Sequence, residues 1–174
     1  MSAAALHGRR VTLRPLRRED LPRLLELLAE PEVARWWGSG YDEARLERDY
    51  LRPGSEETAF AILDGGGELA GMASYWEEDD PDHRHAGMDL FLDPARRGRG
   101  LGPDALATLA RHLVDDRGHH RLVIDPAADN AAAIRAYAKV GFRPVGTLRR
   151  AQRAPDGGWR DTLLMELLAG ELVA

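Results

Sequence analysis

Arg97-Gly98-Arg99-Gly100-Leu101-Gly102 is a glycine-rich turn that follows an apolar run at residues 88–92 and leads into a predicted helix. Glycine lets a backbone approach a ligand closely and adopt left-handed dihedral angles. The first N–H groups of a helix have no intrahelical acceptor, and the helix dipole adds positive potential there. With two arginines beside it, the turn is predicted to hold a phosphate or a pyrophosphate.

The spacing of the turn distinguishes between kinds of phosphate loop. A Walker A motif needs Lys and then Ser or Thr after its last glycine, but Leu101-Gly102-Pro103 follow Gly100 here. The glycine spacing does not fit a dinucleotide fingerprint, and no βαβ unit surrounds it. The turn fits Arg/Gln-x-x-Gly-x-Gly/Ala, with Arg97, Gly100 and Gly102 at the defined positions. This pattern resembles the coenzyme A pyrophosphate loop of the GCN5-related N-acetyltransferases (GNAT).

A second segment carries the same resemblance. Asn130, Ala133, Tyr137, Gly141 and Phe142 are spaced like the second signature of that superfamily, Asn-x-x-Ala-x-x-x-Tyr-x-x-x-Gly-Phe. The resemblance covers roughly residues 9–168 and implies one acetyltransferase domain over residues 1–174, with acetyl-CoA as its cofactor.

The resemblance implies an α/β (α+β) fold. Its mixed, mostly antiparallel sheet of about seven strands is splayed between the fourth and fifth strands and flanked by about four helices. The apolar patterns agree with that order. Strands are predicted at residues 11–16, 58–63, 69–76, 84–92, 121–124, 142–148 and 159–167. Helices are predicted after Asp20, at residues 42–52, after the glycine turn and after Asn130, and residues 32–41 are predicted to be an aromatic loop.

Composition limits the kinds of partner. The formal net charge of −5 argues against nucleic acid and suits a cationic partner. With no cysteine, a thiol nucleophile and a thiolate metal site are excluded, and we expect no metal. An apolar signal-peptide core and a membrane-spanning run are both lacking, so we expect a cytoplasmic protein without membrane contact, either a monomer or a homodimer.

By resemblance, two segments hold the cofactor. Backbone groups of Leu90, Phe91 and Leu92 would pair with the pantetheine arm like an added strand. The pyrophosphate would bind Arg97, Gly98, Arg99, Gly100, Leu101 and Gly102. Asn130 is interpreted first as a helix N-cap. By resemblance, its side chain would also contact the CoA arm.

Two residues are predicted to move protons. Asp89 interrupts the apolar run at residues 87–92, where a carboxylate is out of place, and it could take the proton of an ammonium group. The alternative is an ordinary solvent-facing side chain. Tyr137 is a candidate acid for the leaving thiolate, and the alternative is a core aromatic.

The acceptor half resembles the aminoglycoside 6′-N-acetyltransferases, which confer antibiotic resistance. The resemblance rests on Trp36-Trp37-Gly38, Gly87-Met88-Asp89 and Asp125-Pro126, and it implies that Asp125 contacts the drug. Trp36 and Trp37 would stack on a sugar ring or on pantetheine, or be divided between core and surface. Glu77 and Glu78 begin an acidic run that is either a rim of the acceptor site or a solvated loop.

Two histidines leave another activity open. His85 is four residues before Asp89, and period-two alternation places both on one strand face, whereas His83 has no further metal-ligand pattern beside it. The related siderophore N-acyltransferases, which acylate hydroxylamine-lysine groups, use His and Asp and share the Trp-Trp segment. A non-enzymatic acyl-CoA-binding module is the third possibility.

Overall fold

The computed structural model describes residues 4–173, and its framework is one eight-stranded sheet in the order β1-β2-β3-β4-β5-β6-β8-β7. All neighbouring strands are antiparallel except β5 and β6, which are parallel. The strands are β1 (Leu6–His7), β2 (Thr12–Pro15), β3 (Thr58–Leu63), β4 (Leu69–Glu78), β5 (His85–Leu92), β6 (Arg121–Ile124), β7 (Arg143–Arg153) and β8 (Trp159–Leu168). The predicted fold class is confirmed.

The helices flank this sheet. They are α1 (Leu21–Ala29), α2 (Pro31–Trp37), α3 (Glu43–Leu46), α4 (Leu101–Arg111) and α5 (Ala131–Val140). Wider, π-helical turns extend α3 through Leu51 and α4 through Asp116. None of the helices within residues 4–173 is long and apolar enough to cross a lipid bilayer.

The prediction of a loop at residues 32–41 was wrong in its first part, because residues 32–37 belong to the helix α2. Pro31 was interpreted as the end of the first helix, but it occupies the first turn of a new one, where a proline costs no hydrogen bond. Glu30 is extended and separates the two helices, and Gly38 ends α2 with φ of 88°. The tryptophans therefore lie at the end of a helix, which fixes their direction.

Two strands differ from prediction in extent. The eighth strand is β1, whose two residues pair with β2 and are too few to show a periodic pattern. β7 runs five residues beyond residue 148, through a polar segment where Arg150 has φ of 52° and the register with β8 shifts. The long β7–β8 hairpin reaches as far as α2.

The predicted splay between the strands at residues 84–92 and 121–124 is confirmed. β5 and β6 pair only through Ala86↔Leu122 and Gly87↔Val123. Beyond these pairs the two strands separate, so residues 88–92 have no strand partner on the β6 side. The gap leaves backbone N–H and C=O groups of β5 without a ladder partner on that side.

Apolar side chains cover both faces of the sheet and hold it in place. On one face α4 buries Leu106 and Leu109 completely, and on the other α1 buries Leu21 and Leu24 completely. Each such leucine contributes about 1.5–3 kcal/mol. The sheet is therefore anchored on both faces.

Candidate active site

A cleft of about 640 Å³ lies at the splay. Its walls come from the end of α2, from β5, from the segment after β6 and from the first turns of α5. The cleft brings together most of the side chains that the sequence singled out: Trp36, Trp37, Asp89, Leu90, Phe91, Leu92, Arg97, Gly102, Asp125, Asn130 and Tyr137.

The glycine turn has the geometry of an anion cradle. Gly98 and Gly100 both have φ of 76°, a left-handed conformation that favours glycine. Gly100 is the N-cap of α4 and supplies no side-chain oxygen, so the first N–H groups of the helix lack a side-chain cap. Gly98, Arg99 and Gly100 are exposed beside the cleft, whereas the Leu101 side chain is buried in the core.

The β5 backbone is engaged at the point where the strands separate. The N–H of Leu90 donates to Asp89 Oδ1 at 3.0 Å, and the Leu90 carbonyl accepts from the Trp37 indole N–H at 3.3 Å. The Trp37 ring also meets Phe91 edge-on, with centroids 4.8 Å apart. Trp37 is thereby held against the strand edge that the sequence assigned to pantetheine.

Asp89 lies in the cleft wall. Its side chain is reached by water through the open cleft. Protein atoms nevertheless surround it on the other sides, so the carboxylate is incompletely hydrated. Burial raises the pKa of Asp89 to about 7, and the negative charges of Asp125 and Glu57 add to the rise, while the Leu90 N–H opposes it. An acid with this pKa exchanges protons readily near neutral pH.

Tyr137 and Asn130 belong to α5. The Asn130 side chain accepts from the Ala133 N–H at 3.2 Å, which confirms the predicted N-cap. Tyr137 is buried, and burial raises the pKa of its hydroxyl, with Asp89 and Asp125 adding to the effect. The phenol is therefore protonated at neutral pH.

The cleft also holds acidic residues that sequence reasoning missed, among them Asp49, Glu57 and Asp129. Glu57 Oε2 accepts from the hydroxyl of buried Ser74 at 2.6 Å, and Ser74 lies opposite Asp89 in the β4–β5 register. Ser74 interrupts an apolar strand pattern, which is the sequence signal that could have found this pair, but no motif connects it with Glu57.

A bridge joins the β7–β8 hairpin to α2. Arg160 donates to the carbonyls of Arg35 and Trp36, both at 2.6 Å, and to Gln152 Oε1 at 2.9 Å. These carbonyls belong to the last turn of α2 and lack helical partners. Guanidinium groups of Arg35 and Arg160 lie 4.6 and 5.5 Å from the Trp36 ring centroid. Trp36 is consequently fixed by the hairpin.

The acidic run that begins at Glu77 and Glu78 lies outside the cleft. Glu77 accepts from Arg117 at 2.8 Å and from buried His119 at 2.7 Å, and Glu78 accepts from the Asp80 N–H. Neither glutamate lines the cleft. The predicted acidic rim at Glu77 and Glu78 is replaced by ion pairing and turn formation, because both lie at the far end of β4.

The two histidines are also outside the cleft lining. His85 Nδ1 lies 2.7 Å from the His83 carbonyl, and the His85 ring meets Trp76 edge-on. His85 lies four residue steps before Asp89 along the strand, a span of about 13 Å. Within residues 4–173, no three His, Asp or Glu side chains converge so that they could hold a metal ion.

Residues 10–143 match the family profile described as an acetyltransferase (GNAT) domain. The chain belongs to the GNAT acetyltransferase family. It therefore transfers acetyl groups to amines, and enzymes of this family use acetyl-CoA. The left-handed glycines and the uncapped N-terminus of α4 in this GNAT domain fit the pyrophosphate of that cofactor, and the binding of the pyrophosphate by residues 97–102 stays a prediction.

Relatives of this GNAT chain differ in their acceptors. Over 164 residues it is 32% identical to the aminoglycoside N(6′)-acetyltransferase type 1 of Klebsiella pneumoniae, covering 84% of this chain and 79% of the relative. It is also 32% identical to the spermidine N(1)-acetyltransferase of Escherichia coli K12 over 173 residues, 94% and 89% of the two chains. RimJ of Mycobacterium smegmatis, solved with CoA-disulfide, superposes with a TM-score of 0.83 at 25% identity, covering 98% of this chain and 90% of RimJ.

Proposed function

We propose that the protein transfers the acetyl group of acetyl-CoA to a primary amine of a small polycationic acceptor, with the 6′-amine of aminoglycosides as the first candidate. The observation that carries this proposal is the set of carboxylates in one cleft with Asp89: Glu57, Asp125, Asp49 and Asp129. Several carboxylates in one concave site suit an acceptor with several ammonium groups and attract it from a distance.

The electrostatics of the acidic pair support a bound cation. Burial raises the pKa of Asp125 as it does that of Asp89, because both carboxylates lack full hydration in the cleft. An ammonium group near them lowers the cost of keeping both ionised. Asp125 would hold one ammonium group of the acceptor, and Glu57, fixed by Ser74, a second.

The cofactor end of the cleft is assigned to residues 97–102 and to the open edge of β5. Arg97 and Arg99 would neutralise the pyrophosphate together with the N–H groups of α4. The backbone of Leu92 would carry the pantetheine arm, and Leu90 would join it by exchanging its present partners, the Asp89 carboxylate and the Trp37 indole. When bound, acetyl-CoA supplies the acetyl group as an activated thioester.

Asp89 is proposed to accept the proton of the acceptor ammonium, directly or through water. Its pKa of about 7 matches the operating range of a general base, so the carboxylate is present in quantity at neutral pH. Holding both reactants in one cleft contributes as well, by about 7–11 kcal/mol in well-oriented cases.

Tyr137 is proposed to donate a proton to the leaving sulfur. Because burial keeps its hydroxyl protonated, it can act as a donor but not as a base at neutral pH. Its position in the cleft with Asp89 supports a direct transfer, in which one side chain takes a proton and the other provides one.

A linear polyamine such as spermidine is the second candidate. The Escherichia coli relative named for spermidine has the same 32% identity as the aminoglycoside relative, over a longer part of this chain. A linear polyamine also carries several ammonium groups, so the cleft charge alone does not separate the two candidates.

The test is a thiol-release assay with acetyl-CoA and four parallel acceptors: kanamycin, tobramycin, spermidine and an N-hydroxylated lysine. Faster release with the aminoglycosides supports the first candidate, and faster release with spermidine supports the second. Asp125→Asn should raise the acceptor KM at least about fivefold by removing one ion pair. Asp115→Asn, which removes a charge at an exposed position outside the cleft, is the matched control.

Release with the hydroxylamine alone would refute the polycation proposal and favour siderophore chemistry. Binding of acetyl-CoA without release for any acceptor would leave the cofactor assignment standing and refute the acceptor assignment.

A further inference from the structure

We propose that Arg10, which lies outside both sequence signatures, binds a phosphate group of CoA together with the loop at residues 97–102. The inference rests on the cofactor site proposed above. It adds a group from the N-terminal end of the domain, about 90 residues away in sequence.

The backbone around Arg10 is fixed to the helix that starts at the loop. Asp104, in the first turn of α4, accepts from the N–H groups of Arg9 at 3.2 Å, Arg10 at 2.7 Å and Val11 at 3.1 Å. Three hydrogen bonds to one carboxylate hold the segment in a single position relative to α4.

Gly8 permits this close approach. A β-carbon at Gly8 would collide with the Asp104 carboxylate and the Thr108 hydroxyl. Only a residue without a side chain lets the segment lie this close to α4, so the position of Arg10 is built into the local sequence Gly8-Arg9-Arg10.

The Arg10 side chain lies against the N-cap of α4. A β-carbon built on Gly100 would lie 3.3 Å from Arg10 Nε and 3.8 Å from Arg10 Cζ. The guanidinium therefore contacts the loop residue from which the helix N–H groups begin, and it adds positive charge to the point where the dipole is already positive.

The ion pairs around the loop leave this guanidinium available. Arg96 pairs with Asp64, and Arg97 lies 3.6 Å from Glu32. Within residues 4–173, the guanidinium groups of Arg10 and Arg99 have no carboxylate within 4 Å. Two unpaired guanidinium groups beside an anion cradle favour a phosphate, which a guanidinium can bind through two parallel hydrogen bonds.

The experiment is calorimetric titration of CoA into the intact protein and three variants. Arg10→Ala should raise the dissociation constant for CoA about tenfold, which corresponds to the loss of one charge-assisted hydrogen bond. Arg10→Lys should recover part of the loss, because it restores the charge without the planar fork. Arg9→Ala is the matched control, since it removes the same charge from the neighbouring residue and should change affinity less than about twofold.

Parallel titrations with 3′-dephospho-CoA identify the phosphate. An equal loss with both ligands places Arg10 at the pyrophosphate, and a loss with CoA alone places it at the 3′-phosphate. Unchanged affinity of Arg10→Ala for both ligands overturns the proposal. Thermal unfolding of each variant verifies that it is folded.

Gly100→Val separates this inference from the cofactor site on which it rests. If Gly100→Val loses CoA affinity and Arg10→Ala does not, only the Arg10 inference fails. If folded Gly100→Val binds CoA like the wild type, the loop assignment itself fails.

Discussion

The pH dependence of turnover follows directly from the position of Asp89. With a pKa of about 7, its carboxylate is about one tenth ionised at pH 6 and about nine tenths ionised at pH 8. If the carboxylate is the base, kcat/KM should rise about ninefold between these pH values and fall about tenfold per pH unit below pH 6. The thiol-release assay, run at saturating acetyl-CoA and low acceptor concentration, measures this rise of kcat/KM with pH, the acidic limb of the pH profile.

Asp89→Asn removes the base and keeps the size of the side chain. We expect turnover at pH 7.5 to fall by about 10²–10⁴, with CoA affinity unchanged, and the acidic limb near pH 7 to disappear. Turnover close to that of the wild type, or an unchanged limb in the variant, would refute the assignment of Asp89 as the base.

The same substitution should stabilise the fold at neutral pH. Because the folded pKa of Asp89 is raised from 3.8 to about 7, the native state binds its proton more tightly than the unfolded chain between those values. Wild-type stability attributable to this group therefore falls as pH rises from about 4 to 7 and stays low above it. The Tm of Asp89→Asn should exceed that of the wild type at pH 8, and the difference should vanish near pH 3.5.

Three further substitutions test other parts of the site. Tyr137→Phe should lower kcat about tenfold to a hundredfold while acetyl-CoA binding, measured by calorimetry, stays within about threefold. Arg160→Ala should raise the acceptor KM and leave the affinity for CoA unchanged, because its hydrogen bonds fix Trp36 in the part of the cleft proposed for the acceptor; steady-state kinetics with each substrate varied separates the two effects. Gly8→Val should lower the Tm by several degrees in a thermal melt, since its side chain would collide with Asp104.

The geometry of the glycine turn could be predicted from sequence because its signals are local. A phosphate loop needs glycines at fixed spacing and a helix immediately after them, and residues 97–102 carry both. The N-cap at Asn130 is equally local, because the side chain bonds an N–H three residues ahead. The strand interrupted by Asp89 was visible as a break in an apolar pattern.

The acceptor half could not be predicted in the same way, because it is built from contacts between distant segments. Glu57 is placed by Ser74, 17 residues away, and Trp36 by Arg160, 124 residues away. The acidic run that begins at Glu77 had the more obvious sequence signal, yet its first member is engaged by Arg117 and His119. A run of acidic residues in the sequence therefore did not indicate which acidic side chains line the cleft.

In the proposed function the two ends of the cleft bind groups of opposite charge, the pyrophosphate of the cofactor and the ammonium groups of the acceptor. The loop carries Arg97 and Arg99, and the cleft around Asp89 is lined by Glu57, Asp125 and Asp129, with Asp49 paired to Arg45. The loop needs the same geometry for every acceptor, because the cofactor is the same. The carboxylates come from α3, from the segment before β3 and from the segment after β6, so each can change without disturbing the loop. Under the proposed function, acceptor choice depends on the spacing of Glu57, Asp125 and Asp129 about Asp89, and we expect a series of acceptors with graded distances between their ammonium groups to measure that spacing.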